Sequence, residues 1–479
     1  MGSLAGMVWS SLPAVTQPDM ALAFGLAFLG SALLLWRARG ATLSRAELRH
    51  LAQYKYVSGG YTWLDYKLTP FWNWLVELLP TWMAPNMVTF IGFVTVNAAS
   101  LLLWWHAPLL AGLGDGGDHA AERGWVFGVH AAALFIYQHL DAVDGKQARR
   151  TGSSSPLGQL FDHGCDCFVN WLCVMNCSAC LHFGAGPRLG FFALALTLPF
   201  FVQQWAEYHT GLCQTSNGYV GVTEGITMLV AIEAWSGVAG TQWWCAPQPA
   251  LLGLAARDAL LVFCSGSNSV MIAQSAWSVL APGAAEAAAA AEMADASMRG
   301  DKALSRAAAL AQLAPLAAWG ALAAVWLFDF DASAGHGGGG GRRDAGIVAD
   351  GPLQPVAASL QSFLGMFAPS ETFAAAPVLC SLLVGAQYAL VTTRMIVAHM
   401  CKSPYAAAPN VACLAPLLIV AVAHTFGGLP FVAETTLAWL ATVTALGMYL
   451  FYVVTAVREI CAEMGIMCFS LAYMKQKAL

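Results

Sequence analysis

Ten apolar stretches recur along this chain, at roughly 85–109, 124–142, 158–185, 188–207, 221–239, 258–281, 304–328, 373–399, 409–427 and 433–456. A helix needs about 20 predominantly apolar residues to cross a bilayer, and these runs meet or approach that length with few charges inside them. The composition agrees: 58% of the 479 residues are hydrophobic and mean hydropathy is +0.60. Only 10% are charged, against about 25% in ordinary soluble domains. The expected fold is therefore all-α, a polytopic transmembrane helical bundle of about ten spans. Net charge is −5 with no basic block, which argues against a nucleic-acid partner.

Before the first span, residues 41–84 alternate basic and aromatic side chains (Arg45, Arg49, Lys55 and Lys67 among Tyr54, Tyr56, Trp63, Phe71, Trp72 and Trp74). That pattern predicts an N-terminal amphipathic helix lying in the membrane interface. The 17-residue run at 20–36 lacks the basic start of a cleavable signal peptide. It is short for a span and is read as non-spanning, an eleventh span being the alternative. The chain thus divides into an N-terminal cytosolic or interfacial segment (1–84), a transmembrane domain (85–457) and a cytosolic tail (458–479). Basic residues at 37–67, 146–150, 299–306, 402 and 475–477 fall on one side if the first span leaves the cytosol, with Arg342 and Arg343 an exception. The Ala-rich 283–296 and Gly-rich 335–341 insertions read as linkers.

Four aspartates sit where the second and third spans meet, in DAVDGKQARRTGSSSPLGQLFDHGCD at 141–166. On a helix, Asp141, Gly145 and either Ala148 or Arg149 share a stripe, and Asp144 lies about 60° from Asp141. Beyond the TGSSSP turn, Gly158, Asp162 and Asp166 repeat at i, i+4 and i+8. A tight turn folds the two faces together into an acidic cleft with space in it. Four carboxylates that close stay ionised only when cations join them, and hard oxygen ligands select Mg²⁺, Ca²⁺ or Mn²⁺. Two divalent ions balance four charges, the arrangement that stabilises in-line displacement at phosphorus. Lys146 and Arg149 supply phosphate-binding cations. The bland alternative is a solvated helix-end cluster salt-bridged to Lys146, Arg149 and Arg150. Ionisable residues at a membrane edge are costly and functional by default, so the cleft is preferred. A cation transporter would spread acids over several spans, whereas here they lie together at one edge.

The pattern Asp141-x2-Asp144-Gly145-x2-Ala148-Arg149-x8-Gly158-x3-Asp162-x3-Asp166 resembles the complete signature of the CDP-alcohol phosphotransferases. The filling residues DAVDGKQARR, SSSPLG and LFDHGCD resemble the choline/ethanolamine phosphotransferase branch more narrowly, as do YKYVSGG and PFWNWLVELLPTWMAPNMVT upstream. The resemblance implies transfer of phosphocholine or phosphoethanolamine from CDP-choline or CDP-ethanolamine to diacylglycerol, releasing CMP. It implies an endoplasmic reticulum or Golgi membrane, a cleft facing the cytosol, and a homodimer. Asp141, Asp144, Asp162 and Asp166 would hold two Mg²⁺, with Mn²⁺ as a substitute. Asp162 and Asp166 are the catalytic pair, and Asp166 doubles as general base. Gly145, Ala148 and Gly158 would leave room for the nucleotide, and Lys146 and Arg149 would hold phosphate. A CDP-diacylglycerol-dependent synthase is the alternative within the superfamily.

Outside the signature, Asn86 and Thr89 in PNMVT are candidates for bonding an aspartate or the nucleotide, Asn86 also being a candidate helix cap. Glu224 is weighed evenly between a substrate-facing role and a helix cap, because NGYVGVTEG departs from the family's Asn-Gly-Pro-Thr-Glu-Gly run at Tyr219, Val220 and Val222. Glu207, His209, Arg394 and His399 fall near the same membrane edge, and His163 turns about 100° off the acid face. Cys177-x-x-Cys180 has no second pair and reads as small apolar packing.

Overall fold

A computed structural model of the chain describes residues 42–54, 59–113, 123–251, 253–281, 283, 305–330, 354–427 and 432–471. The run at 20–36, nearly all of the Ala-rich insertion, the Gly-rich insertion with Arg342 and Arg343, and the last residues of the tail lie outside the described residues.

Helices dominate. The interfacial stretch resolves into α1 (Arg45–Ala52) and α2 (Trp63–Leu78). There follow α3 (Pro85–His106), α4 (Trp125–Thr151), α5 (Pro156–Cys180), α6 (Pro187–Thr210), α7 (Val222–Ala239) and α8 (Ala256–Leu280). The second half holds α9 (Arg306–Ala311), α10 (Ala314–Leu327), α11 (Gln354–Gly365), α12 (Glu371–Ala375), α13 (Pro377–Met400), α14 (Ala407–Ala412), α15 (Ala415–Thr425) and α16 (Glu434–Met464). One small antiparallel ribbon, β1 (Phe328–Phe330) with β2 (Phe367–Pro369), pairs Phe328 with Pro369.

Eight helices among the described residues are long and apolar enough to cross a membrane: α3, α4, α6, α7, α8, α9 with α10 as one unit, α13 and α16. Two of the ten expected spans fall outside that set, for different reasons. Asp162, His163, Asp166, Asn170 and Asn176 lower the hydropathy of α5, yet the helix is 25 residues long and buried along most of its length. Surrounded by protein, it has no need of an apolar exterior. The ninth run breaks at Cys413–Leu414 into α14 and α15; the 11 residues of α15 rise only about 16 Å, short of the roughly 30 Å hydrocarbon core.

The centre of the bundle is α5 and α13. α5 packs on α3, α6 and α13, while α4 lies against α3, α7 and α2, and α16 against α13. Gly385 lets α13 approach closely, since a Cβ there would collide with the Trp171 ring of α5. α1 docks rather than floats: Leu43, Leu48 and Leu51 bury against Ile396, Met400 and Ile460, and Glu459 accepts the N–H groups of Thr42 and Leu43 at 2.7 and 2.8 Å. α2 keeps the exposed aromatic face, with Trp63, Tyr66 and Trp74 outward and Trp72 and Val76 inward.

Between α3, α4, α5 and α7 lies a polar network sealed from solvent. His130 Nδ1 meets Glu233 Oε2 at 2.7 Å, both side chains being fully buried. His130 Nε2 meets Asn176 Nδ2 at 2.7 Å and Ser100 Oγ at 3.1 Å, and Trp104 donates to Asn176 Oδ1 at 2.8 Å. Cys177 completes it, its Sγ 3.6 Å from Glu233 Oε1.

Candidate metal centre

The turn that brings the acids together follows from its residues. Gly152 takes φ +63°, a left-handed conformation that glycine adopts without steric cost. The N–H of Ser153 returns to the carbonyl of Ala148 at 2.9 Å and that of Gly152 to Arg149 at 3.2 Å, closing α4 in a Schellman pattern. Ser155 then caps α5 through the Gly158 N–H, and Pro156 fills the first helical position, where a missing N–H costs nothing.

Folded back in this way, Asp141, Asp144 and Asp162 each bring an oxygen within 4.8 Å of the others, the one such group among the described residues. Asp144 is held by the Thr89 hydroxyl at 2.5 Å. Asp141 Oδ1 and Asp162 Oδ1 are buried and make no hydrogen bond. An orphaned, buried carboxylate oxygen is costly, and two of them in an all-oxygen donor set fit a hard divalent cation. Asp166, which is not one of this trio, accepts the Tyr137 hydroxyl at 2.5 Å.

The cationic residues divide. Lys146 donates to Asn73 on α2 at 2.8 Å. Arg150 pairs with Glu77 at 3.1 Å and caps the carbonyls of Val76 and Leu79, while Gln147 binds those of Pro80 and Met83. These contacts staple α4 to the α2–α3 corner. Arg149 is exposed, its Nη1 3.6 Å from where a Gly145 Cβ would stand. A Cβ on Gly145 or Gly158 would meet nothing closer than 3.6 Å, so the chain itself leaves both places open. Gly145→Ala should therefore leave the thermal unfolding midpoint unchanged and lower kcat/KM for a nucleotide-containing substrate by about tenfold or more; unchanged kinetics would show that the gap faces no ligand.

Asn86 does not cap α3: Pro85 occupies the first helical position, Ala84 precedes it, and no side-chain cap forms. The Asn86 amide instead donates to Cys468 Sγ at 3.6 Å, with its oxygen beside Gly158. Glu224 does cap its helix, accepting the Gly221 N–H at 2.9 Å. His209 bonds Gln312 at 2.8 Å, and Arg394 bonds Asn410 at 2.5 Å while lying over the Tyr452 ring.

Two features were not anticipated. Tyr137, which holds Asp166, lies one helical turn before Asp141 on the acid face, a signal present in the spacing. Gln159, three residues before Asp162, donates to the Tyr54 hydroxyl at 3.0 Å; Tyr54 donates to buried Glu207 at 3.2 Å, which also faces His399 at 3.5 Å. Burial pushes the Tyr54 hydroxyl well above its usual range, so it remains a donor. Residues this distant in sequence meet only in the folded chain.

Residues 82–207, which contain all four aspartates, match the family model described as CDP-alcohol phosphatidyltransferase. The chain is 42% identical over 203 residues to cholinephosphotransferase 1 of Gallus gallus, covering 42% of this chain and 58% of the relative. Against choline/ethanolaminephosphotransferase 2 of Arabidopsis thaliana it is 38% identical over 201 residues, 41% of this chain and 48% of the relative. In both matches the chain spans only about half the length of the relative. Against choline/ethanolaminephosphotransferase 1 of Arabidopsis thaliana, identity is 29% over 433 residues, 88% of this chain and 95% of the relative. Residues 82–207 are thus a domain similar to the CDP-alcohol phosphatidyltransferase family, and the relatives this chain resembles are cholinephosphotransferases and choline/ethanolaminephosphotransferases.

Proposed function

We propose that the chain transfers phosphocholine or phosphoethanolamine from its CDP-linked form to the 3-hydroxyl of diacylglycerol, releasing CMP, at a cleft facing the cytosol in the endoplasmic reticulum or Golgi membrane. The observation that carries this reading is the convergence of Asp141, Asp144 and Asp162 with two buried oxygens left without partners, inside the family-matched segment. The names of the relatives support the substrate class.

Asp141, Asp144 and Asp162 would hold Mg²⁺, with Mn²⁺ as a substitute, and Asp166 would complete a site for a second ion. Bound divalent ions supply charge neutralisation at the donor's diphosphate. Thr89 fixes the rotamer of Asp144 through its 2.5 Å hydrogen bond. Tyr137 does the same for Asp166, orienting its carboxylate to take the proton of the acceptor hydroxyl. As that proton leaves, the acceptor oxygen bonds to the phosphorus that carries the aminoalcohol. The bond from that phosphorus to the bridging oxygen breaks, and CMP departs with the electron pair. Gly145, Ala148 and Gly158 leave room for the nucleotide, and exposed Arg149 pairs with its phosphate at the mouth of the cleft. Asn86, beside Gly158, is placed to bond the nucleotide.

The reading is tested by offering the reconstituted chain two substrate pairs in parallel: CDP-choline or CDP-ethanolamine with diacylglycerol, and CDP-diacylglycerol with free inositol or serine. Labelled phosphatidylcholine or phosphatidylethanolamine from the first pair is expected. Product from the second pair alone would keep the acidic cleft and overturn the substrate assignment.

A further inference from the structure

After α16 the chain reverses at Gly465, which takes φ +61°, and residues 466–471 return to the acidic cleft as a strap closed by the Met467–Ser470 bridge. Cys468 of this strap receives the Asn86 amide. The Phe469 ring lies 5.2 Å from Phe90 on α3 and 5.5 Å, edge to face, from Phe161 on α5. Both partners border the acids: Phe90 follows Thr89, which holds Asp144, and Phe161 precedes Asp162. The rings are not sealed, Phe90 being 39% and Phe469 41% exposed.

Further along the same helices a second aromatic tier continues the first. Phe93 lies 5.9 Å from Phe168, and Phe168 stacks on Tyr449 of α16 at 5.9 Å and 14°. Tyr449 donates to the Gly164 carbonyl of α5 at 3.2 Å, which fixes this tier against α5. From Phe161 to Phe168 is seven residues along α5, about 10 Å of rise. An aromatic seam over α5, flanked by α3 and α16, therefore runs from the carboxylates into the apolar part of the bundle.

We propose that this seam seats the acyl chains of the diacylglycerol acceptor, with Phe469 as the residue at its threshold that sets acceptor affinity. This rests on the function proposed above. The two substrates differ in polarity, and the seam matches only one of them: a CDP-alcohol carries charge throughout its diphosphate, while diacylglycerol is apolar except at its glycerol end. Acyl chains lying along the half-buried Phe93 and Phe168, which Tyr449 backs from α16, would leave the glycerol hydroxyl beside Phe90 and Phe161, one residue from the groups that hold the cleft. The polar donor would then enter past Arg149 and Gly158.

The test has two arms. A diacylglycerol analogue bearing a photoactivatable group on one acyl chain is incorporated into liposomes with the wild-type chain, without donor, and labelled peptides are mapped. Label on peptides containing Phe90, Phe93, Phe161, Phe168 or Phe469, displaced by excess diacylglycerol, is expected. Label confined to other helices overturns the proposal. Because this arm needs no turnover, it is independent of whether CMP is released, and failure of the proposed reaction shows separately as a wild-type chain without product. In the second arm, Phe469→Ala should raise KM for diacylglycerol by about tenfold, the effect of losing the apolar contact between one ring and the acyl chain, with KM for the CDP-alcohol unchanged. Phe469→Leu should restore most of the loss. A change in donor KM or kcat with acceptor KM constant, for either variant, would overturn the threshold role.

Discussion

Asp162→Asn should lower CMP release by about three orders of magnitude or more while leaving the chain folded. Groups that stabilise charge developing in a phosphoryl-transfer transition state contribute effects of this order. Asp162 Oδ1 is buried without a hydrogen-bond partner, the position a bound cation would fill. The amide is nearly isosteric but removes one negative charge from a crowded group. In the metal-free protein that relieves repulsion among Asp141, Asp144 and Asp162, and the thermal unfolding midpoint should hold or rise. Added Mg²⁺ should raise the wild-type midpoint and have little effect on the variant. Thr89→Val offers a graded comparison, since it removes only the hydroxyl that orients Asp144. Its activity should fall by about tenfold, as the net value of a hydrogen bond to a charged group suggests.

Removing either half of the buried His130–Glu233 pair should destabilise the bundle by about 3–5 kcal/mol, because the remaining partner is left uncompensated where no water can reach it. Both side chains are fully buried and 2.7 Å apart. Replacing both together, as His130→Leu with Glu233→Met, should recover most of the loss, since apolar groups of similar volume need no partner. Unfolding in detergent, measured for both single variants and the double variant, gives the coupling directly. The pair also bears on the cleft. His130 lies eleven residues before Asp141 on α4, and Asn176 lies ten after Asp166 on α5, so the network fixes how the two acid-bearing helices lie against each other. Single variants that fold should lose activity as well as stability, and a loss in the double equal to the sum of the two single losses would show that the pair is not coupled.

Much of this arrangement was legible in the sequence because helical spacing is local. The stripe of Asp141, Gly145 and Ala148, and that of Gly158, Asp162 and Asp166, follow from 3.6 residues per turn. The Gly152 turn that folds them together follows from glycine's tolerance of positive φ. Three of the four acids converge as the spacing suggests. Asp166 lies one turn on from Asp162, but the Tyr137 hydroxyl takes it up, and its distance from the trio depends on how α4 and α5 cross.

The misses have similar physical causes. The run at 158–185 does form a helix, α5, but one buried in protein along most of its length, so its polar side chains, such as Asn176, bond to neighbouring helices and its mean hydropathy stays below that of a lipid-facing span. The apolar run at 409–427 carries Pro409 and Pro416 and breaks into two short helices, a limit that composition alone does not report. Asn86 resembled a cap by residue type, but Pro85 had already taken the first helical position. The Gln159–Tyr54–Glu207–His399 contacts and the return of Phe469 to Phe90 join residues from distant parts of the chain. No periodicity within a segment encodes such meetings.

The most direct test of the central claim, that Asp141, Asp144 and Asp162 form a metal-dependent phosphoryl-transfer centre, is CMP release in liposomes containing diacylglycerol. Wild-type chain and Asp162→Asn would be compared with CDP-choline and CDP-ethanolamine, each with Mg²⁺ and with a chelator. Release from one or both donors that needs Mg²⁺ and disappears in the variant is the expected result. Release that persists in chelator, or that is equal in Asp162→Asn and wild type, would contradict it.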